Sequence, residues 1–319
     1  MMKKYYAYGR VLEKNEDVMF DFCNTGIEFI SLETVTLTIQ TRKHVKLNVS
    51  VNDQFVKQYV IEGENKITEL TFQKNDKVKI IKASEAMHGI VTILNFLSLP
   101  ITAVEHPQRK RIEFIGDSLT SGYGNMGVSN EFESDCTQTW FVELADHFNC
   151  DFVNHSWGEI GLVEDWNLNR KNQIPEIRRR WLATDETAQF DFSLYPVDYV
   201  FINIGTNDLY LKEESLSDEF RREFIQAYKE LIEECYQQYG EELKVFILQG
   251  PVMLPNGRKV VSEVVSLVRQ ERKNVVELDM SLSLDEKELW GFWDHPNVKG
   301  NHVLAEKLIK QLEEMNFQK

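Results

Sequence analysis

The chain has 319 residues, of which 42% are hydrophobic and 27% are charged, a composition typical of a globular protein. Its 36 Lys and Arg residues against 51 Asp and Glu residues give a formal net charge of −15, which argues against nucleic acid or an anionic membrane as the main partner. The run Arg178-Arg179-Arg180 is a local exception, which we expect to be a solvated helix face rather than an anion site. The length favours two domains or one large one.

The cysteines and the N-terminal sequence bear on the cellular compartment. Cys23, Cys136, Cys150 and Cys235 are widely spaced and show no C-x-x-C pattern, so metal-ligand and redox motifs are not indicated. The first residues, MMKKYYAYGR, contain no apolar segment of the kind that secretory signals require. No run of about 18 apolar residues follows. We therefore expect a cytoplasmic protein without a membrane span.

The first hundred residues are rich in β-branched residues in alternating patterns, with short turn-like segments such as NDQ, GEN and KND between them. The pattern predicts strands at 35–41, 45–51, 66–72, 77–81 and 89–98. Many short strands at near-regular spacing are typical of an antiparallel sandwich, and we place this β-sandwich domain at residues 1–106. The polar segment PITAVEHPQRKR, residues 100–111, contains two prolines and is expected to be a linker.

From residue 107 onward, predicted strands and helices alternate. We expect strands at 111–115, 150–156, 197–204, 244–250 and 275–280, and helices near 138–148, 217–239, 259–272 and 300–315. Gly240 is expected to end the longest of these helices. The alternation predicts a parallel sheet with helices on both faces, and we assign it to one α/β domain, residues 107–319.

Ligands of an open α/β sheet bind beyond the carboxyl ends of its strands, so the residues after each predicted strand are the candidates for a site. These segments are GDSL with Ser118, NHSWGEIGL with Gly158 and Gly161, GTND with Asn207, and WGFWDHPN with His295. A serine and a histidine can act as nucleophile and general base. Backbone N–H groups and an amide side chain can stabilise an oxyanion. Together these residues predict acyl transfer.

These four sequence blocks resemble those of the GDSL, or SGNH, hydrolases, and the resemblance covers residues 111 to about 315. The stretches GDSLTSGYGN and VDYVFINIGTND, with the β-rich domain in front of them, are similar to carbohydrate esterase family two. That family places a jelly-roll β-sandwich before a three-layer α/β/α, flavodoxin-like SGNH domain and removes acetyl groups from sugars. The resemblance therefore implies a serine esterase without metal or cofactor, whose ligand is a small-molecule or oligosaccharide ester.

The resemblance also implies roles for individual residues. Ser118 would be the nucleophile, and His295 would be the general base and acid. The oxyanion hole would combine the N–H of Ser118, the side-chain amide of Asn207, and the N–H of Gly158 or alternatively of Gly161. The aspartates of the GDSL and GTND blocks would be structural.

One part of the site departs from the family pattern. Members of the superfamily usually carry an Asp three residues before the catalytic His, and family two often has one two residues before it. Here Phe292 and Trp293 occupy these positions, and Asp294 adjoins His295. Adjacent residues on an extended segment point in opposite directions. Either Asp294 completes a triad, or a backbone carbonyl orients the imidazole and leaves a Ser-His dyad.

Three tryptophans, Trp157, Trp290 and Trp293, lie beside the blocks. Aromatic rings can stack on sugar faces and wall an acetyl pocket, a role that we predict for Trp157 and Trp293; loop packing is the alternative. We expect acetylated mono- or oligosaccharides as substrates. The alternatives are a lipase- or thioesterase-like acyl hydrolase for longer chains and a catalytically silent carbohydrate-binding protein. The sequence does not predict an oligomeric state.

Overall fold

The computed structural model describes residues 4–130 and 132–317, which form two compact units. The first unit comprises residues 4–108 with the segments Asp135–Thr137 and Arg180–Gln189, and the second comprises the remaining described residues. Two short segments from beyond residue 108 therefore belong to the first unit. A hydrogen bond of 2.8 Å from the backbone N–H of Ala183 to the carboxylate of Asp21 holds one of them there.

The first unit contains two antiparallel sheets. Its strands are β1 Tyr6–Tyr8, β2 Leu12–Lys14, β3 Asp17–Phe20, β4 Gly26–Ser31, β5 Val35–Thr41, β6 Val45–Val51, β7 Gln54–Ile61, β8 Lys66–Phe72, β9 Lys77–Lys82, β10 Val91–Leu94 and β11 Ile101–Ala103. One sheet has the order β1-β4-β9-β6-β7, with β11 paired to β4, and the other has the order β2-β3-β10-β5-β8.

Alternating residues of the two sheets form the core of this unit. Val35, Leu37 and Ile39 of β5 are buried, and so are Val45 and Leu47 of β6 in the other sheet, because alternate side chains of a strand share one face. These faces pack together in one hydrophobic cluster. The antiparallel β-sandwich predicted from the sequence is confirmed.

The strands of this unit differ from the predicted ones in several places. β10 ends at Leu94 rather than near residue 98, because Asn95 adopts a left-handed conformation with φ of 50° and begins a 3₁₀ turn. The segment expected to be a linker begins as β11, which pairs with β4, so the linker prediction is wrong for Ile101–Ala103. The early strands β1 to β4 and the edge strand β7 were not predicted, since polar and apolar residues do not alternate regularly there.

The second unit contains a parallel sheet. Its strands are β12 Arg111–Gly116, β13 Asp151–Ser156, β14 Tyr199–Asn203, β15 Lys244–Gln249 and β16 Val275–Asp279. They pair in the order β13-β12-β14-β15-β16, each neighbouring pair parallel. The helices are α1 Ser118–Ser121, α2 Trp140–His147, α3 Ile174–Arg178, α4 Thr206–Leu209, α5 Asp218–Tyr239, α6 Pro255–Val268 and α7 Val298–Glu314. Gly240 caps α5 as predicted.

Helices cover both faces of this sheet. Phe114 of β12 contacts Trp140 of α2, with ring centroids 5.5 Å apart. The preceding residue, Glu113, points to the opposite face, where it accepts hydrogen bonds from Arg178 of α3 and Tyr239 of α5. The predicted α/β arrangement is confirmed. Within the described residues, no helix has both the length and the apolar character needed to cross a membrane.

The predicted solvated face at residues 178–180 is wrong for Arg180, which is buried, and for Arg178. This side chain is fully buried, and its guanidinium donates two hydrogen bonds of 2.7 Å to the carboxylate of Glu113. A buried arginine is tolerated because the bidentate pair compensates the desolvation of both charges. The partner lies 65 positions away in the sequence, so local sequence does not reveal it.

Candidate active site

Ser118 lies at the end of β12, as the first residue of the short helix α1. Asp117 caps this helix, and its buried carboxylate accepts a hydrogen bond of 3.0 Å from the N–H of Leu119. Gly116 permits the tight turn, because a Cβ at this position would lie 2.2 Å from the hydroxyl oxygen of Thr120. The turn places the serine at the carboxyl edge of the sheet, and Asp117 has the structural role predicted for it.

The hydroxyl group of Ser118 is hydrogen-bonded to His295, with Oγ 2.8 Å from Nε2. The other ring nitrogen, Nδ1, lies 2.9 Å from the backbone carbonyl oxygen of Trp293. Since a carbonyl only accepts, Nδ1 carries the proton and Nε2 accepts from the serine hydroxyl. Burial lowers the pKa of His295, although the hydrogen bond to the Trp293 carbonyl raises it. A lowered pKa favours the neutral ring, which can accept the serine proton.

The Trp293 carbonyl reaches the ring because the chain turns sharply before His295. Trp293, with φ of 50° and ψ of 49°, and Asp294, with φ of 53°, both have the left-handed conformation, which is uncommon outside glycine. The N–H of Gly291 donates to the carbonyl of His295 at 2.7 Å and closes the turn. Within the described residues, Asp294 forms no hydrogen bond to His295, although both residues line the same cavity.

The histidine segment rests on the glycine-containing segment that follows α1. The N–H of Phe292 donates to the carbonyl of Gly124 at 3.2 Å. Gly124 has φ of 60°, and a Cβ added to it would lie 2.5 Å from the Cβ of Phe292. The ring of Tyr123 lies 4.9 Å from the ring of His295. A glycine is therefore needed at position 124 so that the serine and histidine segments can approach each other.

Asn207 follows β14 as the second residue of α4. Gly205 precedes it with φ of 111°, and a Cβ there would lie 2.7 Å from the ring of Phe224. The side-chain nitrogen of Asn207 donates to the carbonyl of Ile160 at 2.7 Å, and an amide nitrogen has a second N–H to donate. Asn207 is only 7% exposed and lines the same cavity as Ser118.

The next residue, Asp208, organises the segment that follows β13. Its carboxylate accepts hydrogen bonds of 2.7–3.0 Å from three consecutive backbone N–H groups, those of Leu162, Val163 and Glu164. A Cβ at Gly161 would lie 2.5 Å from a carboxylate oxygen of Asp208. The N–H of Gly161 donates to the side-chain oxygen of Gln173 at 2.8 Å. Asp208 thus links α4 to the glycine segment, in agreement with its predicted structural role.

Both of these structural aspartates are buried. Burial raises the pKa of Asp117 to about 7, although the hydrogen bond from Leu119 lowers it. Burial also raises the pKa of Asp208 to about 6, against the effect of its three backbone hydrogen bonds. Both carboxyl groups therefore titrate close to neutral pH, well above the usual range for aspartate.

A cavity of about 440 Å³ opens over the serine. Ser118, Asn207 and His295 all line it, so the structure brings these three predicted residues together. The other lining residues are Leu119, Tyr123, Glu159, Trp166, Thr206, Tyr210, Val252, Leu254, Leu284, Trp293 and Asp294. Trp293 is 70% exposed. The wall is therefore partly aromatic, partly aliphatic and partly acidic.

The three tryptophans near the sequence blocks differ in their positions relative to the cavity. Trp293 lines the cavity, whereas Trp157 is not among the described residues that do, and Trp290 packs in its own loop, where its ring N–H donates to the carbonyl of Ser283. Trp166 and Tyr210, which were not predicted, line the cavity with their ring centroids 5.7 Å apart. Both follow a sequence block closely, which is the signal that could have identified them.

The chain is similar to known proteins. The family described as GDSL-like Lipase/Acylhydrolase matches residues 112–308. The chain is 29% identical over 242 residues to the Cellulase/esterase CelE of Acetivibrio thermocellus, which covers 72% of this chain and 29% of that protein. It is 24% identical over 254 residues to the Acetylxylan esterase / glucomannan deacetylase of Cellvibrio japonicus, which covers 75% of this chain and 69% of that protein. The chain thus spans less than a third of the length of CelE.

Solved structures with the same fold extend over the whole chain. A family two carbohydrate esterase from Clostridium thermocellum in complex with cellohexaose has a TM-score of 0.84 at 24% identity and covers 98% of each chain. A family two carbohydrate esterase from Cellvibrio japonicus has a TM-score of 0.81 at 19% identity and covers 99% of this chain and 96% of that one. At these identities the likeness concerns the fold, and it agrees with a β-sandwich followed by an α/β domain.

Proposed function

Because the chain belongs to the GDSL-like lipase/acylhydrolase family, we propose that it is a serine esterase that removes acetyl groups from carbohydrates. The observation that carries the proposal is the 2.8 Å hydrogen bond between Oγ of Ser118 and Nε2 of His295, in a cavity that also contains the amide of Asn207. A nucleophile in contact with a neutral base is the minimum that acyl transfer requires.

In the proposed reaction, Ser118 attacks the acetyl carbonyl while Nε2 of His295 accepts the hydroxyl proton. The imidazolium then donates this proton to the departing sugar oxygen, which leaves an acetylated serine. A water molecule, deprotonated by the same nitrogen, hydrolyses the acetyl-enzyme and releases acetate. The carbonyl of Trp293, 2.9 Å from Nδ1, would orient the ring and accept from the imidazolium. These residues would form a dyad, without a carboxylate.

The oxyanion would be stabilised by three donors: the N–H of Ser118, the N–H of Gly158 and the side-chain amide of Asn207. Asn207 uses one N–H for the carbonyl of Ile160, so its second N–H is the one to be offered to the substrate. The N–H of Gly161, the alternative to Gly158, already donates to Gln173, which makes it less suited to bind the oxyanion. Donors of this kind act because they are oriented before the charge develops.

The carbohydrate part of the proposal rests on the relatives and on the cavity wall. One relative is named an acetylxylan esterase and glucomannan deacetylase, and a solved structure of the same fold holds cellohexaose. The exposed ring of Trp293 and the rings of Trp166 and Tyr210 are suited to stacking on sugar faces. A second candidate function is the hydrolysis of esters with longer acyl groups. The aliphatic side chains of Val252 and Leu254 in the same cavity favour it.

Trapping the acetyl-enzyme tests the proposal directly. The protein is mixed with a chromogenic acetate ester and quenched in acid within the first turnover. It is then digested, and the mass of the peptide that contains Ser118 is measured by mass spectrometry. We expect acetylation of this peptide and the loss of several orders of magnitude in kcat in Ser118→Ala. Ser266→Ala, a change at an exposed serine of α6, is the matched control. Full turnover by a folded Ser118→Ala protein would contradict the assignment.

A further inference from the structure

The cavity over Ser118 has an acidic lining. Its lining includes two carboxylates, Glu159 and Asp294, and neither lysine nor arginine is among the described residues that line it. Glu159 directly follows Gly158, and Asp294 directly precedes His295. The two negative charges are thus attached to the segments that carry a proposed oxyanion donor and the base.

Both acidic residues have an uncommon backbone conformation. Glu159 has φ of 67° and Asp294 has φ of 53°, conformations that are uncommon for residues other than glycine and that cluster at functional sites. The carbonyl of Glu159 accepts a hydrogen bond of 2.9 Å from the N–H of Trp166, which fixes the segment. The carboxylate of Asp294 forms neither a hydrogen bond nor an ion pair with any residue that the structure describes.

Building on the esterase activity proposed above, we propose that Glu159 and Asp294 select substrates by charge. The site accepts acetyl esters of neutral sugars, prefers those of amino sugars, and rejects those whose alcohol portion carries a carboxylate, phosphate or sulfonate. The physical reason is that a cleft lined by charges of one sign attracts ligands of the opposite sign and repels ligands of the same sign, most strongly at low ionic strength. The exposed ring of Trp293 adds a face on which an ammonium group is also favoured.

Three acetate esters of similar shape isolate the effect of charge. They are 2-(trimethylammonio)ethyl acetate, its neutral isostere 3,3-dimethylbutyl acetate, and the anionic 2-sulfoethyl acetate. We expect kcat/KM to fall in that order, with a total span of roughly tenfold or more at low ionic strength and a smaller span in high salt. A sugar series of 6-O-acetylglucosamine, 6-O-acetylglucose and 6-O-acetylglucose 1-phosphate is expected to follow the same order.

Substitutions assign the selectivity to the two residues. Glu159→Gln and Asp294→Asn should each reduce the cation-to-anion ratio of kcat/KM by roughly threefold or more, and the double variant should nearly abolish it. Asp285→Asn, at an exposed position outside the cavity lining, should leave the ratio as it is. Equal kcat/KM values for the three esters, or an unchanged ratio in the double variant, would overturn the inference. Failure to hydrolyse even the neutral ester would instead contradict the esterase assignment itself.

Discussion

The backbone carbonyl of Trp293 lies 2.9 Å from Nδ1 of His295, in the position where a carboxylate would complete a triad. The carbonyl can hold the ring in the tautomer that leaves Nε2 free to accept the serine proton. It carries no net charge, so it stabilises the imidazolium less than a carboxylate would. Because the acceptor belongs to the backbone, substitution of a single side chain does not remove it.

We predict that Asp294→Asn has a small effect on acetyl transfer to water. Loss of the orienting Asp in a triad costs about 10⁴-fold in kcat, whereas removal of a charge that makes no contact with the imidazole should cost less than about tenfold. The measurement is kcat on a neutral acetate ester, with Asp285→Asn as the control. A loss near 10⁴-fold without a change in Tm would show that Asp294 is the third member of a triad after all.

Asn207→Ala should lower kcat by roughly 10²- to 10³-fold, the usual loss for one oxyanion donor, with little change in KM. The reason is that the amide would act on the charge that develops in the transition state. Steady-state kinetics on the neutral ester give both constants, and Asn274→Ala, at an exposed asparagine, is the control. A higher KM with an unchanged kcat would mean that Asn207 binds the substrate in its ground state.

Asp208→Asn should lower kcat by roughly tenfold to a hundredfold, because small misplacements of catalytic groups are costly. Its carboxylate accepts three backbone hydrogen bonds in the glycine segment, and an amide, with one acceptor oxygen, cannot replace all of them. The control is Asp191→Asn, the same change at an exposed aspartate that caps a short 3₁₀ helix. If Asp208 acted only on stability, Tm would fall while kcat per folded molecule stayed constant.

The pH dependence follows from the burial of His295, which lowers its pKa. The base must be neutral, so kcat/KM should fall as the pH drops through this lowered pKa. We expect the midpoint of this acidic limb to lie below about 6.5, the ordinary value for histidine. Asp208 titrates nearby, at about 6, and the profile of Asp208→Asn separates the two groups. If the acidic limb of the profile disappears in this variant, the limb reports the titration of Asp208 rather than that of His295.

Acetyl esters should be hydrolysed faster than octanoyl esters, and acetylated sugars faster than simple aryl acetates. The aromatic rings of Trp166, Tyr210 and Trp293 occupy much of the cavity wall, and forcing extra methylenes against a packed wall costs free energy. The measurement is kcat/KM for esters of two, four and eight carbons and for acetylated xylose and glucose. A maximum at eight carbons, with no turnover of any acetylated sugar, would favour the lipase-like alternative.

Local periodicity was enough to predict most of the regular structure, and the strand-end argument gave three candidate site residues. Strands β5, β6 and β8 have the predicted bounds, because side chains that alternate between core and solvent leave a period of two in the sequence. The strand-end argument selected Ser118, Asn207 and His295 as candidates, since parallel strands bring their carboxyl ends to one edge. The structure places all three around one cavity.

Tertiary structure alone decided the features that depend on backbone angles or on distant partners. Trp293 and Asp294 have the left-handed backbone conformation, which their residue types do not predict. The sequence therefore did not decide whether a carboxylate or a backbone carbonyl accepts the hydrogen bond from His295. Arg178 is buried because Glu113, far away in the sequence, neutralises it. Local sequence encodes which face of a strand or helix a residue lies on. A charge pair or a hydrogen bond between distant residues forms only when the packed chain brings the two partners together.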